Sequence, residues 1–178
     1  ETKKLRIGNG LSNPDVDLGP MVSLEAIKKV EEHIHDALQK GARVLCGGKK
    51  PEGEEYKRGY YFEPTVIADA NHDMLIMKEE TFGPAVGIMS FENFNQVISW
   101  ANSTRYGLAA YVYTSNLDKA RNICLGLECG NIGLNNVDVA TIYAPYTGWK
   151  ESGFGTDLGP EGIESYLEVK HIKVEFEK

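Results

Sequence analysis

Between residues 84 and 135 the sequence changes period four times, and this alternation limits the fold more than any other feature. "PAVGIMSF" (84–91) is a continuous apolar run, the pattern of a strand buried on both faces. "ENFNQVISWANST" then places Phe94, Val97, Ile98 and Ala101 at helical spacing. "LAAYVYT" (108–114) reads as a strand, "NLDKARNICLGL" (116–127) as a core-facing helix, and "NIGLN" (131–135) as the next strand. Strand, helix, strand, helix, strand with short connections specifies an α/β fold. The expected architecture has three layers: a mostly parallel sheet with helices on both faces.

The flanking segments extend the pattern. Ser23 is a good N-cap, and Leu24, Ile27, Val30, Ile34, Ala37 and Leu38 form one face of a helix ending near Lys40 and Gly41. "ARVLCGG" follows as a short buried strand. "KKPEGEEYKRG" is a charged exposed loop, and "YYFEPTVIAD" is a strand whose Pro64 marks an edge or bulge. Residues 136–158 lose all periodicity, and a loop of that length in a compact domain points to function. A short helix is expected from about Pro160 to Leu167. The end, 171–178, alternates Ile172, Val174 and Phe176 with Lys173, Glu175 and Glu177. This is a strand with one wet face, suited either to its own sheet edge or to another subunit's. Residues 1–170 thus form the body, and 171–178 a terminal strand.

Several function classes drop out. Of the 178 residues 42% are apolar and 25% charged, and the formal charge is -7. That balance suits a globular protein and disfavours nucleic acid or an anionic membrane as partner. No apolar run is long enough to span a bilayer. Cys46, Cys124 and Cys129 lack metal spacing and are odd in number, which fits a reducing, cytoplasmic setting rather than a disulfide framework. No metal site is expected, since His33, His35, His72 and His171 form no ligand cluster, His33 and His35 pointing apart on their helix. The chain opens on Glu1 rather than methionine, so it is expected to be a piece of a longer one. "GFGTDLG" (153–159) is not a dinucleotide fingerprint, because no strand directly precedes it.

One short stretch raises the functional question. "KEETFGP" (78–84) sets two carboxylates side by side before a turn. Read alone, Glu80 is a surface acid or the cap of a nearby turn. Read with "PYTGWKESGFG" (145–155) and "LGPEGIESYLEVK" (158–170), the chain resembles the C-terminal, catalytic-domain portion of the NAD(P)-dependent aldehyde dehydrogenases. "IGNGLSNPDVDLGPMVS", "GGKKPEGEEYKRGYYFEPTVI" and "STRYGLAAYVYT" match as well, so the resemblance covers essentially the whole chain.

The resemblance implies that Glu80 accepts hydrogen bonds from the nicotinamide-side ribose hydroxyls of NAD or NADP, with Phe82 against the nicotinamide and Glu79 an exposed neighbour. An ionised carboxylate matches a vicinal diol well. It also implies that Asn136, Val139, Ile142 and Tyr146 line a substrate funnel; read bottom-up, the same side chains could merely fill space between domains. The implied chemistry oxidises an aldehyde to a carboxylic acid through a thiohemiacetal on a cysteine, with a glutamate-activated water releasing the product. That nucleophile and general base are expected upstream, since none of the three cysteines has the required context. The segment alone is therefore expected to be inactive. Its implied partners are the aldehyde, the rest of its own chain and further copies in a homodimer or homotetramer. The alternative is a non-catalytic module retained for assembly or regulation. Three departures from the family pattern involve four positions: Tyr146 stands for Phe, Thr147 for Gly, and Thr156-Asp157 for Arg-Glu.

Overall fold

The computed structural model describes residues 1–176. The chain divides into two compact units, 1–92 and 93–178. Each is considered by itself.

In the first unit, α1 (Leu24–Gln39) begins where the sequence places it: the Ser23 side chain accepts a hydrogen bond from Ala26 N–H at 3.2 Å. Ile27, Val30, His33, Ile34 and Ala37 form its buried face. That face packs with Phe62, Ile67 and Met74 into the core of this unit, each fully buried aliphatic side chain contributing about 1.5–3 kcal/mol. The strands are β1 (Arg43–Cys46), β2 (Thr65–Ala68) and β3 (Ala85–Gly87), in the spatial order β1-β2-β3. A four-residue helix, α2 (Leu75–Lys78), lies between β2 and β3. Its first N–H group, from Leu75, is capped by Asp36 of α1 at 2.7 Å.

The α/β class is as expected, with mixed strand pairing. β1 and β2 are antiparallel and β2 and β3 parallel. The charged excursion between β1 and β2 contains no crossover α-helix, so the chain simply turns back. One expectation needs correction: β3 is three residues long and lies at the edge of its sheet, with β2 central. Val86 and Ile88 remain about half exposed. An apolar run reads the same whether or not a partner strand comes from the same segment.

In the second unit, α3 (Phe94–Asn102) is capped by Asn93 and α4 (Leu117–Gly126) by Asn116. β4 (Tyr106–Gly107) and β5 (Ala109–Val112) precede α4, and β6 (Asn131–Leu134) follows it. β5 and β6 pair in parallel from Ala109↔Asn131 to Val112↔Leu134, the expected βαβ arrangement. The stretch 136–158 is not wholly irregular, however. It carries β7 (Tyr146–Thr147), β8 (Trp149–Lys150) and β9 (Thr156–Asp157). β8 pairs with β4 and β7 with β9, both antiparallel. Ladders of two residues are too short to give an alternation signal. α5 (Gly159–Glu164) follows. Residues 167–176 form no strand, so the terminal strand expected over 171–178 is not paired where it is described; Glu177 and Lys178 lie outside the described residues. A strand with one apolar face needs a sheet edge to complete it.

Among the described residues, no helix is long and apolar enough to cross a membrane, and no group of three His, Cys, Asp or Glu side chains could hold a metal ion.

Candidate functional site

Glu80 and Phe82 lie on the turn between α2 and β3, and α1 holds that turn from below. The Lys29 ammonium donates to the Glu80 carbonyl. His33, buried with 1% exposure, places Nδ1 3.0 Å from the Thr81 hydroxyl. A Cβ on Gly83 would sit 2.4 Å from Val30, so only glycine lets the turn approach the helix this closely. The Glu80 carboxylate is left exposed, and the Phe82 ring is 80% exposed. An acceptor-only carboxylate beside an outward aromatic, both on a fixed backbone, fits a diol followed by a planar ring. Glu79 is exposed as expected, but it is more than a solvated neighbour: Oε2 lies 3.8 Å from His33 Nε2.

The other four candidates belong to the second unit and differ among themselves. Tyr146 is half-buried and lines a concavity of about 510 Å³ with Ala140, Asp157, Leu158, Gly162 and Tyr166. Val139 is half-buried and Ile142 is 70% exposed. Asn136 commits its amide locally: Oδ1 accepts from Asp138 N–H at 3.0 Å and Nδ2 donates to the Asp138 carbonyl at 3.1 Å. It shapes the start of the loop.

Residues that sequence reasoning passed over turn out to anchor this loop. Asn131, buried at the start of β6, donates through Nδ2 to the Leu108 carbonyl at 2.7 Å and the Thr147 carbonyl at 2.9 Å. A Cβ on Gly130 would lie 1.9 Å from the Thr147 oxygen, so the loop's return over β6 requires glycine there. A polar residue and a glycine at the head of an apolar strand were the available signal. The departures from the family pattern also meet in space. Tyr146 pairs with Asp157 and Thr147 with Thr156, so all four positions are partners in the β7–β9 ladder. Thr147 Oγ1 further donates to the Gly155 carbonyl at 2.9 Å.

Cys46, Cys124 and Cys129 are free and half-buried. Burial pushes the Cys129 thiol up from its ordinary value, against a weaker opposing effect of its contact with Asn131. This is the reverse of what a nucleophile needs.

The family model for the aldehyde dehydrogenase family matches residues 1–172. Betaine aldehyde dehydrogenase of Bacillus subtilis is 38% identical over 170 residues, covering 96% of this chain and 34% of that protein. The NADP(+) succinate-semialdehyde dehydrogenase GabD of Escherichia coli is 44% identical over 169 residues, covering 95% and 34%. Among solved structures, betaine aldehyde dehydrogenase from Staphylococcus aureus in complex with NAD+ superposes with a TM-score of 0.90 at 39% identity, covering 96% of this chain and 34% of that one. The chain thus spans about a third of the length of the curated relatives it matches.

Proposed function

The chain belongs to the aldehyde dehydrogenase family, and from that membership we propose that it is the C-terminal portion of an oxidoreductase that converts an aldehyde to a carboxylic acid with NAD or NADP. The observation that carries this reading is the turn at Glu80–Phe82: an exposed carboxylate and an exposed ring on a backbone that α1 holds in place. A module kept only for assembly has no need of such a turn. Glu80 would accept the hydroxyls of the nicotinamide-side ribose, and Phe82 would limit the travel of the nicotinamide. The bound nicotinamide supplies the hydride acceptor. The relatives include enzymes named for NADP(+), and a solved neighbour holds NAD+; both cofactors fit a carboxylate that meets only the ribose they share.

The nucleophilic cysteine, the water-activating glutamate and most of the cofactor fold would lie upstream of Glu1. The chain matches only about a third of its relatives, which leaves room for these groups elsewhere in the protein, and burial shifts the Cys129 thiol away from reactivity. Residues 1–170 would be part of the catalytic domain. Residues 171–178 would serve assembly into a homodimer or homotetramer in the cytoplasm; the exposed Ile172, Val174 and Phe176 support this. The second unit would contribute a funnel wall through Tyr146 and the loop of Val139 and Ile142. Residues 136–149 contain no Lys, Arg or His, so a substrate carboxylate would need a cation from elsewhere in the enzyme.

The test is aldehyde-dependent reduction of NAD+ or NADP+ by the full-length chain, together with its coding sequence upstream of Glu1. The reading expects turnover that is lost when a cysteine in a Gly-rich context upstream is changed to serine. A full-length chain with no such cysteine and no turnover on any aldehyde would overturn it.

A further inference from the structure

The turn that carries Glu80 is held in a shape its own residues do not favour. Phe82 sits at φ 48°, in the left-handed region that a bulky side chain occupies only under strain. The hold comes from α1, where Lys29 and Val30 are neighbours and His33 lies one turn after them. Val30 fills the space that a Cβ on Gly83 would need, and Lys29 grips the Glu80 carbonyl. His33 reaches the residue between the two cofactor-facing side chains, with Nδ1 3.0 Å from the Thr81 hydroxyl.

The protonation of His33 follows from its neighbours. Its Nε2 faces the Glu79 carboxylate at 3.8 Å. With the ring proton assigned to Nε2, toward that carboxylate, Nδ1 accepts from the Thr81 hydroxyl. Burial pushes the imidazole below its ordinary value and Lys29 acts in the same sense, while Glu79, Glu32 and Asp36 pull the other way. The ring is therefore neutral near pH 7. A second proton, on Nδ1, would turn the acceptor into a donor and break the bond from Thr81.

We propose that His33 is a positioning residue for the cofactor-facing turn: its neutral ring fixes Thr81, and through Thr81 sets the Glu80 carboxylate and the Phe82 ring. The proposal rests on the ribose-binding reading of Glu80. It adds a consequence that reading lacks: cofactor affinity should weaken on the acid side as His33 takes up its proton.

The experiment is steady-state kinetics of the full-length enzyme and its His33→Phe, His33→Asn, Thr81→Val and Glu80→Gln variants. Loss of one buried hydrogen bond predicts a rise of about five- to tenfold in cofactor KM for His33→Phe and for Thr81→Val, with aldehyde KM unchanged. The double variant should be no worse than either single one, since both remove the same bond. His33→Asn, whose amide reaches the position of Nδ1, should recover most of the affinity. The rise in wild-type cofactor KM on the acid side of the ordinary imidazole value should vanish in His33→Asn. The bulky His33→Phe can fail to fold; Thr81→Val, which keeps the shape of its side chain, then reads the same bond. If Glu80→Gln raises cofactor KM while Thr81→Val and His33→Asn leave it and its pH profile as in wild type, the positioning role is wrong and the ribose reading stands. If Glu80→Gln also has no effect, both fall.

Discussion

Asp36 does two jobs on the side of α1 that faces α2. Its carboxylate accepts the Leu75 N–H at 2.7 Å and pairs with Lys40 at 2.6 Å. The Lys40 contact, then the Leu75 hydrogen bond, hold its pKa below the ordinary carboxylate value. A depressed folded pKa means that the stabilisation is complete above the unfolded value of about 3.9 and is lost as pH falls through the lower folded value. Asp36→Ala should therefore destabilise the full-length protein by about 1–2 kcal/mol at neutral pH. The difference should shrink toward zero in strong acid, as read by urea unfolding across a pH series. An equal loss at every pH would mean that the charge is irrelevant. Periodicity places Asp36 on α1 but cannot show that it caps a helix 39 positions away. His33 is the same case: the spacing marks it as a helix residue, and only the fold reveals that it is buried against Thr81.

At the scale of elements, α1, β1, β2, α3, α4, β5 and β6 were legible because each has a cap, a stop or a period long enough to count. The Ser23 cap and the parallel strand–helix–strand order of β5, α4 and β6 follow the sequence closely. β7, β8 and β9 were not, since two-residue ladders are set by tertiary contact rather than by alternation. The departures from the family pattern share the β7–β9 ladder: Tyr146 is paired with Asp157 and Thr147 with Thr156. Thr147→Gly should remove the hydrogen bond to the Gly155 carbonyl and loosen the ladder, at about 1 kcal/mol. Because the ladder lines the concavity beneath Tyr146, aldehyde KM should rise a few-fold while cofactor KM stays constant. A shift in cofactor KM instead would move this loop away from the substrate.

At the scale of the molecule, each unit exposes large apolar side chains. Leu11, Phe154, Val169 and Phe176 are almost wholly exposed, and the β3 edge shows Val86 and Ile88. Exposed apolar side chains suit contacts with other protein where they gather into a patch. The rest of a longer chain and neighbouring subunits would supply them. Deleting residues 171–178 from the full-length protein should lower its sedimentation coefficient toward that of a smaller assembly, leaving the fold of each subunit intact. An unchanged profile would assign these residues a local role. The candidate site was legible in outline for a related reason: the motifs around Glu80 and Tyr146 are local in sequence, whereas the α1 residues that hold Glu80 in place are not.

Glu80 is proposed to hold the cofactor for hydride transfer. Single-turnover formation of reduced nicotinamide by wild type and Glu80→Gln, with the full-length enzyme saturated with aldehyde, tests it most directly. The amide keeps the size of the side chain but loses the charge and one acceptor. The account predicts weaker cofactor binding and hydride transfer slowed by about tenfold or more. Wild-type rates at every cofactor concentration would contradict it.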